Sequence, residues 1–484
     1  MSEQRVTTGI SGLDDILAGG LPARRLHLVQ GDPGAGKTTI GLQFLLEGVR
    51  RGERGLYITL SETREELTEV AASHGFDISK LALFELASTG ARLDIEEQNT
   101  LFEPSEVELA ELTRALLAQI DDVRPKRVVF DSLSEMRLLA QSPLRYRRQV
   151  LSLKQHLAER GCTVLMLDDQ TSEVGDLHLQ SLAHGVIVLQ HLSPLYGAER
   201  RRLRVVKMRG VAVRGGFHDF RIRSGGVQVF PRLVAAEHHD TFPAGLIESG
   251  LQPLDELLGG GLDRGTSALF MGPAGTGKSA LAMHFAVSAT RRNEAAAVYA
   301  FDEGLYTLGL RCAALGIDLK GPIASGKLRI RQVNPAELSP GEFVAQVCSD
   351  VERNGAKVVV IDSLNGYMTA MPEEQFLTIQ MHELLTFLRQ RGVVIILVVA
   401  QQGLIGSMST PVEVSYLADT VVLLRFFETA GAVRKAISVL KRRSGRHGSK
   451  IHELSMDANG IRVGAALDKF VGVLTGVPHP AAAP

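Results

Sequence analysis

The chain has 484 residues, 53 Lys and Arg against 54 Asp and Glu for a formal charge of −1, and 45% hydrophobic residues. At roughly 100–200 residues per domain it holds two to four domains, and its balanced charge excludes a global field that would gather nucleic acid or anionic lipid, so any polyanion site is local. The longest aliphatic run, Val393 to Ala400, is far short of the ~20 residues of a membrane span, the opening Met1-Ser2-Glu3-Gln4 lacks a signal-peptide pattern, and Cys162, Cys312 and Cys348 are too scattered for a disulfide framework or a metal knuckle, so a soluble cytoplasmic protein is expected.

In chain order, Leu26 to Gln30 is a short apolar run ending in a Gly-rich loop, after which Ile40, Leu42, Phe44, Leu45 and Val49 recur at helical spacing. Leu56 to Leu60, Arg127 to Phe130, Thr163 to Leu167 and Val186 to Leu189 read as buried strands separated by helical stretches. Asp219 to Val229, turning at Gly225-Gly226, closes this half. Ala235 to Gly245 reads as a solvated linker; its pair His238-His239 has no further ligand at coordinating spacing. The strand pattern then returns at Ser267 to Met271, Ala296 to Ala300, Lys357 to Ile361, Val393 to Val399 and Thr420 to Leu424. Near-continuous apolar strands alternating with helices predict an α/β fold, a mostly parallel sheet with helices on both faces.

The chain is written twice. Leu13-Asp14-Asp15-Ile16-Leu17 returns as Leu254-Asp255-Glu256-Leu257-Leu258, Gly36-Lys37-Thr38 as Gly277-Lys278-Ser279, and Glu62 as Glu303, each 241 residues on. Val129-Phe130-Asp131-Ser132-Leu133 returns as Val360-Ile361-Asp362-Ser363-Leu364, and Lys207-Met208-Arg209 as Lys441-Arg442-Arg443. So long a period means duplicated domains: 1–234 and 246–468, joined by the linker 235–245 and followed by a Pro/Ala-rich flexible tail, 469–484.

Two segments fit G-x4-G-K-[ST]: Gly31 to Thr38 and Gly272 to Ser279. Glycines let consecutive backbone N–H groups turn around phosphate oxygens, and the helix behind adds its positive end. The candidate ATP-binding residues are Gly31, Gly34, Ala35, Gly36, Lys37, Thr38 and Thr39 in the first copy, and Gly272, Gly275, Thr276, Gly277, Lys278, Ser279 and Ala280 in the second. Lysine reaches the β- and γ-phosphates, while the Thr38 or Ser279 hydroxyl and the strand-end Asp131 or Asp362 are the candidate Mg²⁺ ligands. At the end of the next strand, Glu62 in one copy and Asp302 with Glu303 in the other are candidates to orient an attacking water, although such acids also occur simply in the first turn of a helix. Lys207 with Arg209, and Lys441 with Arg443, put two cations on one side of a strand. They are candidates for a finger reaching the γ-phosphate held by a neighbouring subunit, the alternative being solvated charge.

These motifs resemble the RecA-type ATPases and, among them, the tandem-domain KaiC family. The likeness runs from about Thr7 to Val463 and rests on the entry segment Ser11 to Leu21, the two phosphate loops, the acids after the second strand, the Asp-Ser-Leu strands and Lys207-Met208-Arg209-Gly210. It implies two tandem RecA-like domains in a double-ring homohexamer, ATP and Mg²⁺ between subunits, slow ATP hydrolysis and signalling partners. For the clock proteins of the family it also implies Ser/Thr autophosphorylation in the second ring, which here falls on Ser415 of Ser415-Tyr416. Departures are specific. The family's first catalytic Glu is Ser61 in one copy and Asp302 in the other, the acid kept as Asp419 becomes His184, and Ser444 replaces the glycine after the second K-x-R. Two other readings use the same fold. A nucleotide-gated scaffold with little catalysis is favoured for the first copy by Ser61. A nucleic-acid motor is disfavoured, because Gly161 through Glu199 and Gly392 through Leu424, which contain the expected channel loops, carry no Lys or Arg. The cluster Arg145-Tyr146-Arg147-Arg148 reads as a solvated helix face.

Overall fold

The computed structural model describes residues 4–85, 104–140, 142–169, 177–194, 196–369, 376–401, 417–475 and 479–480. The chain divides into two compact units, Met1–Arg232 and Leu233–Pro484.

In the first unit β1 (Leu26–Gly31) leads into α1 (Lys37–Arg50), followed by β2 (Gly55–Thr59), α2 (Arg64–Ser73), β3 (Ala82–Glu85), α3 (Pro104–Val123), β4 (Arg127–Asp131), α4 (Leu133–Ala140), α5 (Pro143–Glu159), β5 (Thr163–Asp169), α6 (Leu177–Leu182), β6 (Gly185–Leu192), β7 (Arg200–Met208), β8 (His218–Arg223) and β9 (Gly226–Phe230). These strands form one sheet in the order β3-β2-β4-β5-β1-β6-β7-β8-β9. The six from β3 to β6 are parallel, and β7, β8 and β9 extend the sheet antiparallel.

The parallel strands are apolar throughout because both faces are covered. On β4, Val128 and Phe130 pack with Leu116 and Ile120 of α3 and Leu153 and Leu157 of α5. Val129, between them, faces Ile40 and Phe44 of α1 on the other side. Period-two alternation thus distributes one strand between two cores.

The second unit repeats this plan with β10 (Ser267–Gly272), α7 (Lys278–Arg291), β11 (Ala295–Ala300), α8 (Leu305–Ala314), β12 (Leu328–Gln332), α9 (Pro340–Glu352), β13 (Ala356–Asp362), α10 (Leu364–Thr369), α11 (Leu377–Gln390), β14 (Val394–Ala400), β15 (Thr420–Thr429), β16 (Ala432–Arg442), β17 (His452–Asp457) and β18 (Gly460–Ala466). Its order, β12-β11-β13-β14-β10-β15-β16-β17-β18, is the same topology strand for strand.

Two expectations at the domain edges are corrected. Part of the expected linker is packed on the second unit: Ala235 is 2% exposed in a core with Leu384 and Leu388 of α11, its N–H donates to Glu383, and the His238 ring stands edge-on to Phe387. An apolar anchor overrides the polar composition of that segment. Nor is the first part of the expected tail loose, since Val473 is buried with Phe427 and Ala436, with Phe470 packed beside them. His479–Pro480 also pairs with Phe470–Val471.

Candidate nucleotide sites

The phosphate loops lie at the C-terminal ends of β1 and β10, where α1 and α7 begin. Gly34 and Gly36 (φ 75° and 99°) and Gly275 and Gly277 (φ 81° and 106°) hold left-handed backbone. A Cβ on Gly36 would come within 2.5 Å of Ile222 on β8, and one on Gly277 would collide with Met456 on β17. Neither helix has a side-chain cap at its N-cap glycine, so no side chain there competes with an anion for the first-turn N–H groups. This backbone fits the phosphates of a nucleotide.

The residues named from sequence assemble unevenly. Lys37 Nζ donates to the carbonyls of Gly31 (2.7 Å) and Asp32 (2.9 Å), and Lys278 Nζ to that of Pro273 (2.6 Å). Thr38 donates to Asp131 Oδ2 at 3.0 Å, and Ser279 bonds Asp362 likewise. Burial pushes both aspartates up in pKa against these bonds. A hydroxyl beside a strand-end carboxylate, twice over, is a donor set that suits Mg²⁺. Ala35, Thr276 and Ala280 are buried, and Thr39 turns toward His74 at 3.4 Å, so these residues offer the site backbone rather than side chains. The peptide bonds Asp131–Ser132 and Asp362–Ser363 are both cis.

The acids after β2 and β11 are not helix-turn acids. α2 is capped by Thr63 with Glu66, and α8 starts after Gly304, so Glu62, Asp302 and Glu303 stand before the helices. Backbone Glu62 is pinned by Thr59, whose hydroxyl donates to Glu62 O at 2.8 Å and accepts from its N–H at 2.9 Å. Glu62 Oε2 is buried without a hydrogen-bond partner among the described residues, and burial, then repulsion from Asp131, raises its pKa. Glu303 is instead clamped by Arg311, Nη2 to Oε2 at 2.6 Å and Nε to Oε1 at 3.2 Å, and Asp302 accepts from the Ser363 hydroxyl.

The basic pairs point away from their own phosphate loops. Lys207 donates to Gln180 O, and Arg209 to Ser181 O at 2.9 Å. Lys441 donates to Ala418 O at 2.8 Å, and Arg443 reaches Asp419 at 3.5 Å. Arg209 N–H bonds the carbonyl of His184, five residues before Leu189, which pairs with Gly31. At about 3.3 Å per strand residue, that is roughly 16 Å toward the other end of the sheet. A cavity of about 250 Å³ there is lined by Arg24, Arg25, Lys154, His184 and Arg209.

Sequence reasoning missed two partners. Tyr57 OH donates to Asp131 Oδ2 at 2.5 Å. Lys37 Nζ also forms a 2.6 Å ion pair with Asp169 at the end of β5. No motif marks Asp169; only the β1–β5 pairing brings it to the loop, with Gly31 opposite Asp169. Ser415 lies outside the described residues, as do most of the loops whose lack of cations argued against a motor. Tyr146 is 4% exposed, turned inward from the otherwise basic face of α5. No described helix is long and apolar enough to cross a membrane.

Two mostly parallel α/β sheets, each with a lysine-bearing phosphate loop and a strand-end aspartate beside its hydroxyl, define tandem P-loop ATPase domains of RecA type. The family model of the KaiC ATPase matches residues 6–234 and again 247–468, so the chain belongs to the KaiC family. It is 28% identical to the circadian clock oscillator protein KaiC of Acaryochloris marina, over 98% of this chain and 91% of the relative. The KaiC of Parasynechococcus marenigrum is 27% identical, over 99% of this chain and 94% of the relative.

Proposed function

We propose that the chain binds Mg²⁺-ATP at both phosphate loops and hydrolyses it at sites completed by neighbouring copies of itself, in a double-ring hexamer that serves signalling or timing. The observation that carries this reading is the direction of the cations. Lys207 with Arg209, and Lys441 with Arg443, lie at the sheet end opposite the phosphate loops of their own units, which supports reading each pair as one that serves a nucleotide held by a neighbouring copy. Glu62 in one site, and Asp302 with Glu303 in the other, orient the water, and the trans cations stabilise charge on the transferring phosphoryl group.

The test is complementation. A Lys37→Ala/Lys278→Ala chain and a chain with Lys207, Arg209, Lys441 and Arg443 all changed to Ala are each inactive alone. Mixed and reassembled, they form interfaces with one intact loop and one intact finger, and turnover returns. A mixture that assembles yet stays inactive removes the shared site. The family resemblance extends the proposal to autophosphorylation on Ser415. A phosphopeptide map after incubation with ATP checks it, and continued absence of phosphate there withdraws it.

A further inference from the structure

The two sites differ in where their carboxylates stand. In the second, Asp302 and Glu303 both follow β11. In the first, Ser61 replaces one of that pair and is exposed. An acid absent from the second site, however, comes in from another strand. Asp169 ends β5, the strand next to β1, and pairs with Gly31. In the second sheet Gly272 pairs with Ala400, which has no carboxylate to offer. Asp169 is 2.6 Å from Lys37 Nζ, the amine that reaches for the β- and γ-phosphates. Its other oxygen faces the Ser134 hydroxyl at 3.4 Å. The side chain is 28% exposed.

We propose that Asp169 is the general base of the first site, taking the proton of the water that Glu62 orients and so supplying from β5 the second acid that Ser61 does not. This rests on the reading of that site as an ATPase. When phosphates fill the loop, Lys37 turns to them and leaves one oxygen of Asp169 facing the γ-phosphorus. The water oxygen forms a bond to that phosphorus as its proton passes to Asp169. The bond from phosphorus to the bridging oxygen breaks, its electron pair leaves with ADP, and the proton moves on to inorganic phosphate. The rate then depends on Asp169, while its removal does not weaken binding, because its carboxylate competes with the phosphates for Lys37 in the nucleotide-free state.

The experiment uses the full chain carrying Lys278→Ala, so that turnover reports the first site alone. Against this parent, Asp169→Asn is expected to lower kcat by about 10²-fold or more and to leave the affinity for a fluorescent ATP analogue unchanged or tighter. Asp169→Glu, which restores the carboxylate, recovers part of the rate. A kcat for Asp169→Asn within about threefold of the parent, far below the loss expected on removing a base, overturns the assignment. So does a parallel loss of affinity and rate in both variants, which marks a structural ion pair. A parent that binds the analogue without hydrolysing it overturns the base but leaves the nucleotide site standing, whereas a parent that does not bind it removes the reading of the site itself.

Discussion

Glu62 and Glu303 hold the same place in the repeat but meet different neighbours. Arg311, in the last turn of α8, takes both oxygens of Glu303, whereas Glu62 has no such cation among the described residues. Of the two acids proposed to orient the water in the second site, Glu303 is thus tied to a cation, whereas Asp302 accepts from the neutral Ser363 hydroxyl. In a Lys37→Ala background, Asp302→Asn should therefore lower turnover by about 10²–10⁴-fold, and Glu303→Gln by clearly less; equal losses in steady-state assays would show that Arg311 does not remove Glu303 from the reaction. A residue at the other end of β1 from the phosphate loop contributes to the response to acid. His27 is fully buried in β1 with Nε2 2.9 Å from the Pro22 carbonyl, and burial pushes its pKa down to about 4. Between its unfolded value, about 6.5, and 4, the unfolded chain binds a proton that the folded chain refuses. The contribution is whole above that range and falls as pH drops through it, with a loss of about 2–3 kcal/mol by pH 4.5. His27→Gln should flatten this slope in urea midpoints measured at pH 7 and 4.5.

At the scale of elements, Arg127 ties the start of β4 to its surroundings. It is 1% exposed, pairs with Glu53 at 2.5 Å, donates to the carbonyls of Thr7 (2.7 Å) and Phe44 (2.9 Å), and lies over the Phe44 ring. Arg127→Ala leaves these acceptors unpaired and should destabilise the first unit by roughly 3–5 kcal/mol, read as a lower denaturant midpoint. Such ties could not be seen in sequence, because their partners are fixed only by tertiary packing. The ten strand runs were legible from their continuous Val, Ile and Leu, for example Arg127–Asp131 and Val394–Ala400. The outer strands Ala82–Glu85 and Leu328–Gln332 were not, since edge positions are half-buried or exposed and their apolar signal is diluted. The phosphate loops were legible because their chemistry lies within eight consecutive residues; Asp169 was not, being 138 residues from its strand partner Gly31.

For the whole molecule, duplication predicts two nucleotides per chain. Equilibrium binding should give one in Lys37→Ala, one in Lys278→Ala and none when both are changed. A double variant that still binds ATP with undiminished affinity would place the nucleotide elsewhere. The units share topology strand for strand, so differences in their chemistry come from single side chains on a common frame: Ser61 against Asp302, His184 against Asp419, Asp169 against Ala400.

Asp168 and Asp169 are neighbours in sequence with opposite fates. Asp168 is 1% exposed, bonded to Gln30 at 2.9 Å and Arg137 at 3.0 Å, while Asp169 meets Lys37. The pleat sends one carboxylate to each side of the sheet. Inserting or deleting one residue of β5 ahead of the pair would therefore turn each carboxylate to the other side of the sheet, parting Asp168 from Gln30 and Arg137 and Asp169 from Lys37 in a single step.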